Sequence, residues 1–324
     1  MSRAGYQRRV EQLDAALEQV LRSEPKALAD LDSWWARERA LRADFKHPGA
    51  RAVVLAAECA RLGLAFAGGF RAALVRMSGE LDPHGLRRMA FCATERGGAH
   101  PRSIATTLED EGPSLRVRGE KTWATLGEWA DELLVVCLRG TQADGRPELA
   151  VVRVAASHPG VERLPARATP FCPEITHCGF RFDALVPAEQ LLPGDGYADY
   201  LKPFRTVEDC HVQLAICAYL LGVARRFDLG AEWQETWCGA LAGACAASEL
   251  DPRSSVTHTL LAGLERQIAL QRETFEQVWR ARGGEEWACW ERDRGLLRVA
   301  QGARDARSEA ARRQLAPRVA DPHP

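Results

Sequence analysis

The sequence lacks the features that would mark a nucleic-acid-binding, membrane or secreted protein. Its 324 residues carry a formal net charge of −1, so no excess of positive charge favours nucleic acid or an anionic membrane as a partner. It has no run of about 18 consecutive apolar residues, and its charged, amphipathic start does not resemble a signal peptide. We therefore expect a cytoplasmic protein with neither nucleic acid nor membrane as a partner.

Cysteine is plentiful, but its spacing is not typical of a disulfide framework or a zinc site. The chain has 10 cysteines and no Cys-x-x-Cys pair. The nearest approach to a metal cluster is Cys172, His177 and Cys178, and this spacing does not match that of tetrahedral zinc ligands. Because free cysteine behaves as a small hydrophobic residue, we expect ordinary buried or half-buried thiols and no metal site.

The hydrophobic pattern divides the chain into segments. Residues 1–88 are rich in Ala, Leu, Arg and Glu at helical spacing, with joints predicted at Pro25, His47-Pro48-Gly49 and Asp82-Pro83. Residues 89–198 contain short Val-, Thr- and Phe-rich runs, as in an antiparallel sandwich or barrel. Residues 199–316 return to helical spacing, and 317–324 are predicted to be a disordered tail. The predicted fold class is α+β, with a β domain between two helical domains.

Three motifs occur in the middle segment: FCATERGGA over residues 91–99, GEKTWAT over 119–125 and FDALVPAEQLL over 182–192. In this order they resemble the Ala-x-Thr-Glu-Pro-x-x-Gly-Ser, Gly-x-Lys-x-Trp-Ile-Thr and Phe-x-x-Val-x-Val-Pro-x-x-x-Leu-Leu motifs of the acyl-CoA dehydrogenase family. The chain thus resembles a short, divergent member that is expected to lack the family's C-terminal end. The resemblance covers residues 50–230 well and the ends poorly.

This resemblance implies a flavoprotein that removes hydrogen from the α and β carbons of an acyl thioester. The implied cofactor is FAD, with FMN or weakly bound FAD as alternatives, and the thiol carrier is CoA or an acyl carrier protein. An electron-transfer protein is an implied partner. Because the family's subunits associate through C-terminal helices, a homo-oligomer or pairing with a paralogue is also implied, with five tryptophans of the last third as candidate contacts or core residues.

A flavin needs an aromatic surface, hydrogen-bond donors at its N1/O2 edge and an open N5. By resemblance Trp123 flanks the ring, Thr125 lies near N5 and Thr94 meets the pyrimidine edge. Backbone N–H groups of the Gly97–Gly98 turn are candidates for a phosphate. Taken singly, these residues also fit a strand core or a solvated strand face. The candidate cofactor-binding residues are Cys92, Thr94, Gly97, Gly98, His100, Trp123 and Thr125.

The phosphate and adenine half of the expected site departs from the family. Arg96 stands where the family has proline, and His100-Pro101 replaces a Ser-Asp pair, so that His100 is the candidate to replace the lost hydroxyl. FDLGA at 227–231 replaces the Arg-x-x-Phe-Gly motif, whose arginine in the family binds the pyrophosphate of the neighbouring subunit's FAD. The ring-binding half is therefore expected to be retained and the other half changed.

The dehydrogenation also needs a carboxylate base that faces N5 across the substrate. Some family members carry this base on the first long helix after the β domain, and counting back from Gly222 puts that position at Val212. Glu208 lies one helical turn earlier on the same face. We predict Glu208, or in second place Asp209, as the base. The alternative is that both are ordinary acidic residues at a helix start, where the macrodipole favours them.

Three functions are therefore compatible with the sequence. The first is an acyl-CoA dehydrogenase-like oxidoreductase. The second is a catalytically degenerate subunit of the same fold that acts in assembly or acyl binding, which the changed phosphate motifs favour. The third is a flavin monooxygenase or oxidase, which would need no α-proton base.

Overall fold

Helices form both ends of the chain, and a curled, mixed β-sheet forms its middle, in the computed structural model, which describes residues 3–79 and 87–316. The predicted α+β class is confirmed. The predicted joint at Asp82-Pro83 and the predicted tail over 317–324 lie outside the described residues. The N-terminal helices are α1 (Arg3–Arg22), α2 (Leu31–Asp44), α3 (Pro48–Ala57) and α4 (Leu62–Ser78).

Local capping sets where two of these helices begin. Asp30 precedes α2 and accepts a hydrogen bond from the Ser33 N–H at 2.8 Å, which satisfies one free donor of the first turn. The predicted turn at His47 begins α3: the His47 ring accepts from the Ala50 N–H at 3.2 Å, and Pro48 occupies the first turn, where its missing N–H costs nothing.

Strands fill the middle segment, where the sequence predicts short β runs. The order across the sheet is β1-β4-β2-β3-β7-β6, and β5 pairs with β4. β1 runs parallel to β4, so the sheet is mixed, whereas the sequence alone indicated antiparallel pairing. The strands are β1 (Met89–Cys92), β2 (Thr107–Glu111), β3 (Ser114–Thr125), β4 (Glu132–Thr141), β5 (Pro147–Ala155), β6 (Val161–Arg163) and β7 (His177–Pro187).

The C-terminal helices are arranged around α5, which packs on α3, α4 and α6. The stretch Gly196–Arg226, which ends with α5, is long and apolar enough to cross a membrane, but 89% of its most apolar window is buried inside the protein. It is therefore a core helix here. The C-terminal helices are α5 (Lys202–Arg226), α6 (Ala231–Glu249), α7 (Ser255–Arg282), α8 (Glu285–Asp293) and α9 (Gln301–Leu315).

Two glycines let α5 approach its neighbours closely. A Cβ at Gly222 would lie 2.0 Å from the carbonyl oxygen of Ala57 in α3. A Cβ on Gly69 in α4 would lie 2.6 Å from the carbonyl oxygen of His211 in α5. Because these are backbone contacts, which cannot move aside as a flexible side chain would, they fix where α5 lies relative to α3 and α4.

Aromatic side chains of the last third pack within this chain. Trp279 has ring centroids 5.5 Å from those of both Trp287 and Trp290, and Trp237 packs edge-on to Phe275 at 5.2 Å. The core of a single chain thus accounts for most of the five tryptophans, of which only Trp233 is half-buried. All 10 cysteines are unpaired; eight are buried, and Cys238 and Cys245 are half-buried.

Candidate functional site

A cavity of about 330 Å³ lies between the β-sheet, α5 and the segment that leads into α9. Trp123 and Thr125 line it from β3, and Glu208 lines it from α5. The structure therefore brings two predicted ring-binding residues and the predicted base to one cavity. The rest of the lining is mostly apolar: Phe66, Phe171, Val212, Ile216, Leu296, Leu297, Val299 and Ala300, with His177, Asp209, Gln213 and Arg304.

The pairing of β3 with β7 places the sheet side of this cavity. Thr125 lies opposite His177 in the antiparallel ladder, so both side chains project to the same face. The register shifts between Lys121 and Ala124, an irregularity of the kind that redirects a side chain. Trp123 lies in that shifted stretch, is half-buried, and stacks on the His177 ring with centroids 4.3 Å apart and planes 26° from parallel.

Glu95 and Lys121, from the first two motifs, hold the sheet together. Lys121 is fully buried, and its Nζ donates to Glu95 Oε1 at 2.7 Å. Glu95 also accepts from the N–H groups of Ala105 at 2.8 Å and Thr106 at 3.0 Å. Burial raises the pKa of the Glu95 carboxyl, but Lys121 and these N–H donors outweigh it, so the pKa lies below its ordinary value. Removing one partner of such a buried pair costs about 3–5 kcal/mol.

The remaining predicted cofactor residues lie outside the cavity. Cys92 is fully buried in the apolar interior of the β domain. Thr94 is half-buried, and its carbonyl accepts from the Thr122 N–H at 2.8 Å. In the Gly97–Gly98 turn, the Gly98 N–H already donates to the Glu95 carbonyl at 2.9 Å, so it is not free for a phosphate. Their roles in cofactor binding stay predictions.

His100 is exposed, and its ring nitrogen Nδ1 accepts from the Arg102 N–H at 3.3 Å. This bond begins the short turn Pro101–Ser103. Arg205, from the first turn of α5, donates to the Ala99 carbonyl at 2.8 Å and so ties this loop to the helix that carries Glu208. The predicted phosphate role of His100 stays a prediction.

Glu208 has the ionisation behaviour expected of a base near neutral pH. Burial raises the pKa of its carboxyl to about 7, against the lowering effect of Arg307, Arg205 and Arg304. The side chain is half-buried and faces the cavity. A carboxyl with this pKa is both ionised and protonated in comparable amounts at pH 7, which suits proton transfer.

Asp209 has a different environment, although it also lines the cavity. Its carboxylate is hydrogen-bonded to Arg307 and lies 3.7 Å from Arg304 Nη1, and both arginines come from α9. Arg304 Nε lies 2.9 Å from Glu265 Oε1 of α7 as well. Asp209 therefore holds α9 in place, which leaves Glu208 as the better placed of the two predicted carboxylates.

Among the cavity residues that the motifs missed are His177 and, before α9, Leu296, Leu297, Val299 and Ala300. In the sequence His177 stands out only as a neighbour of Cys172 and Cys178, and the structure separates that trio. Cys178 lies in the β interior, whereas the Cys172 N–H donates to Asp293 Oδ1 at 2.7 Å. Thr125 and His177 are about 50 residues apart, and strand pairing over that distance leaves no local pattern in the sequence. Their pairing could therefore not be predicted from the sequence.

Cys172, Glu174 and Asp293 have potential metal-ligand atoms within 4.8 Å of one another. Both Asp293 oxygens are already engaged, since Arg292 donates to them at 2.6 and 2.7 Å. The cluster is therefore an ion-paired group as it stands.

Comparison with known proteins agrees with this architecture. Residues 90–185 match the family model "Acyl-CoA dehydrogenase, middle domain". Butyryl-CoA dehydrogenase from Megasphaera elsdenii is similar in structure, with a TM-score of 0.68 and 13% identity over 94% of this chain and 97% of that chain. Glutaryl-CoA dehydrogenase from Mycobacterium smegmatis gives a TM-score of 0.63 and 14% identity over 98% of this chain and 95% of that chain.

A structure of PigA with FAD and proline gives a TM-score of 0.64 and 13% identity over 97% of this chain and 98% of that chain. No curated protein sequence matches this chain significantly. At these identities the solved structures establish the fold, while the family model identifies the central segment. The resemblance seen in the motifs is confirmed: the chain has the acyl-CoA dehydrogenase fold, and its residues 90–185 belong to the middle-domain family of acyl-CoA dehydrogenases.

Proposed function

We propose that this protein is a flavin-dependent oxidoreductase that catalyses α,β-dehydrogenation of an acyl thioester. One observation carries the proposal: Trp123 and Thr125 from a motif in β3 and Glu208 from α5 line one cavity. A scaffold protein has no physical need for a half-buried tryptophan and a carboxyl with a pKa of about 7 that face the same space.

The cavity lining fits the ring of a flavin. Trp123 offers a flat surface, the Thr125 hydroxyl is a donor beside it, and His177 Nδ1 is buried without a hydrogen-bond partner among the described residues. A bound flavin supplies the hydride acceptor at its N5. We propose FAD as the flavin, because a similar structure contains it, with FMN as the alternative because the Gly98 N–H is already used within its own turn.

Glu208 would act on the substrate as a general base. Its ionised carboxylate takes the α-proton of the acyl group, and the proton then stays on the Glu208 carboxyl. The apolar side chains of Val212, Ile216 and Leu297 exclude water from the space beside it and receive the acyl chain. Asp209 is paired with Arg307 and does not compete for the proton.

The proposed partners follow from this chemistry. The thioester is carried by CoA or an acyl carrier protein, and the electrons leave through an electron-transfer protein. We also propose a cytoplasmic homo-oligomer, or a complex with a paralogue, as the resemblance to the family implies.

A degenerate subunit of the same fold is the second candidate function. It is favoured by a specific observation: the predicted phosphate-binding residues lie outside the cavity, and Glu95 and Lys121 are retained as a structural pair. Such a subunit would bind acyl groups or assemble with a paralogue without oxidising a substrate.

An absorbance experiment separates the two functions. The purified protein is reconstituted with FAD or FMN, and bleaching of the flavin band by acyl-CoAs is followed in wild type, Glu208→Gln and the control Glu232→Gln, which changes an exposed residue of α6. We expect all three to bind flavin and E208Q to bleach about 100- to 10,000-fold more slowly, the usual effect of losing a general base.

Two results would contradict the proposal. Wild-type protein that binds neither flavin after reconstitution favours the degenerate subunit. Bleaching by E208Q at the wild-type rate would remove Glu208 from the mechanism while leaving the flavin site in place.

A further inference from the structure

His177 lies at the floor of the cavity and has no assigned role. It is 7% exposed, its ring stacks on Trp123 with centroids 4.3 Å apart, and it lines the same space as Thr125 and Glu208. Its backbone is anchored, since its carbonyl accepts from the Arg167 N–H at 2.7 Å. The side chain is therefore held in place by the sheet and by the tryptophan.

The imidazole is polar but has no polar partner in the part of the chain that the structure describes. Nδ1 is buried without a hydrogen bond, and across residues 3–79 and 87–316 no side chain or backbone group pairs with either ring nitrogen. Burial lowers the pKa of His177 to about 4, so the ring is neutral at physiological pH. A neutral imidazole can donate one hydrogen bond and accept another.

A buried polar group without a partner is costly, and at a cavity wall a ligand can supply the missing hydrogen bond. The edge of an isoalloxazine ring carries both acceptors and an N–H donor, which matches the two capacities of a neutral imidazole. Its flat face also matches the stacked surface that His177 and Trp123 form together.

We propose that His177 is a ligand-binding residue of this cavity, whose neutral imidazole stacks on Trp123 and hydrogen-bonds to the polar edge of the bound flavin ring. The inference rests on the proposed flavin function and deepens it. The pairing of β3 with β7 places His177 beside Thr125, the other polar residue of this wall.

Paired substitutions separate hydrogen bonding from stacking. His177→Phe keeps an aromatic ring against Trp123 and removes both nitrogens, whereas His177→Gln restores a hydrogen-bonding group. His158→Phe is the control, because His158 lies in a surface turn outside the cavity. Flavin affinity is measured by quenching of free FAD or FMN fluorescence, together with the visible spectrum of the bound flavin and the circular dichroism of each variant.

We expect H177F to bind flavin about tenfold more weakly than wild type with a shifted spectrum, which is the loss of one ordinary neutral hydrogen bond. H177Q should recover most of the affinity, and H158F should match wild type. Equal affinity and identical spectra for H177F and wild type would overturn the role of His177 while leaving the proposed function intact. A wild-type protein that binds no flavin would overturn both.

A second measurement uses the wild-type protein, in case H177F does not fold. In a sample labelled with ¹⁵N at histidine, the two ring nitrogens of His177 report its tautomer. Flavin addition should fix one tautomer and shift these resonances, with H177Q providing the assignment. Unchanged His177 resonances at saturating flavin would contradict the inference.

Discussion

At the scale of single residues, Glu208 joins two properties that seldom occur together on a helix: a half-buried carboxyl and an opening to a cavity. Three nearby arginines favour the ionised carboxylate, whereas burial favours the protonated form. The resulting pKa of Glu208 is about 7. Its neighbour Asp209, one position along the chain, is instead committed to an ion pair with Arg307. The two acidic residues therefore have separate roles.

The pH dependence of activity should follow Glu208. Only the ionised carboxylate accepts a proton, so kcat/KM should rise as the pH increases through about 7 and level off above it. The residual activity of Glu208→Gln should not show this rise with pH. Initial rates between pH 4 and pH 9, with a buffer series of constant ionic strength, test this. A wild-type rise centred near the ordinary carboxyl value of 4.5 would contradict it.

Stability should change with pH in the opposite sense. Because the folded-state pKa is raised from 4.5 to about 7, the contribution of Glu208 to stability is fully present below 4.5 and is lost as the pH rises through about 7. E208Q should therefore unfold at a higher temperature than wild type at pH 8 and at about the same temperature at pH 4. Thermal unfolding at both pH values provides the measurement, with E232Q as the control.

Sequence reasoning reached some of these residues and not others. Trp123 and Thr125 were found because a motif within one strand is a local signal, and Glu208 was found by counting along one helix from Gly222. The raised pKa of Glu208 and the stacking of His177 depend on segments distant in sequence, so neither could be derived from local spacing.

At the scale of secondary-structure elements, α9 differs from the other C-terminal helices because polar contacts, more than apolar burial, hold it in place. Its buried residues are Ser308 and Ala311. Arg304 and Arg307 connect it to Asp209 of α5, and Arg304 also approaches Glu265 of α7. The stretch that precedes α9 lines the cavity, so the attachment of α9 affects how open the cavity is.

Replacing Arg307 with alanine should loosen α9. The pair with Asp209 is largely buried, so its loss should reduce amide hydrogen-exchange protection in α9 by about tenfold or more. Arg313→Ala is the matched control, because Arg313 pairs with Glu309 on the exposed face of the same helix. Equal exchange in both variants would show that Arg307 does not anchor α9.

Among the elements, the helical character of both end segments and the β character of the middle one were predicted, while β6 and the parallel β1–β4 pairing were not. β6 spans three residues, of which only Val161 is apolar, so no alternating pattern exists to detect. In the β1–β4 pair, Met89 lies opposite Glu132. These residues are far apart in sequence, so their pairing depends on the folded sheet and not on a local pattern.

At the scale of the whole molecule, α5 connects the helical core to the cavity. One end carries Glu208, and the other contacts α3 at Gly222. Because this contact is between backbones, the position of Glu208 opposite Trp123 depends on a glycine nearly four turns away along the same helix.

Gly222→Ala should disturb both stability and activity. The added methyl group would overlap the Ala57 carbonyl, which overpacks the core and should lower the free energy of unfolding by about 1–3 kcal/mol. Gly239→Ala in α6 is the control, since a Cβ there meets nothing within 4 Å, and it should raise stability by about 0.5–1 kcal/mol. Chemical denaturation gives both values, and flavin bleaching shows whether the shift of α5 reaches Glu208.

The buried Lys121–Glu95 pair separates two kinds of information within the motifs. Folding alone requires both residues, because loss of either leaves a buried charge uncompensated. Trp123 and Thr125 instead face the cavity. The presence of the ion pair in this chain therefore reports on its fold, and only the residues at the cavity wall bear on its chemistry.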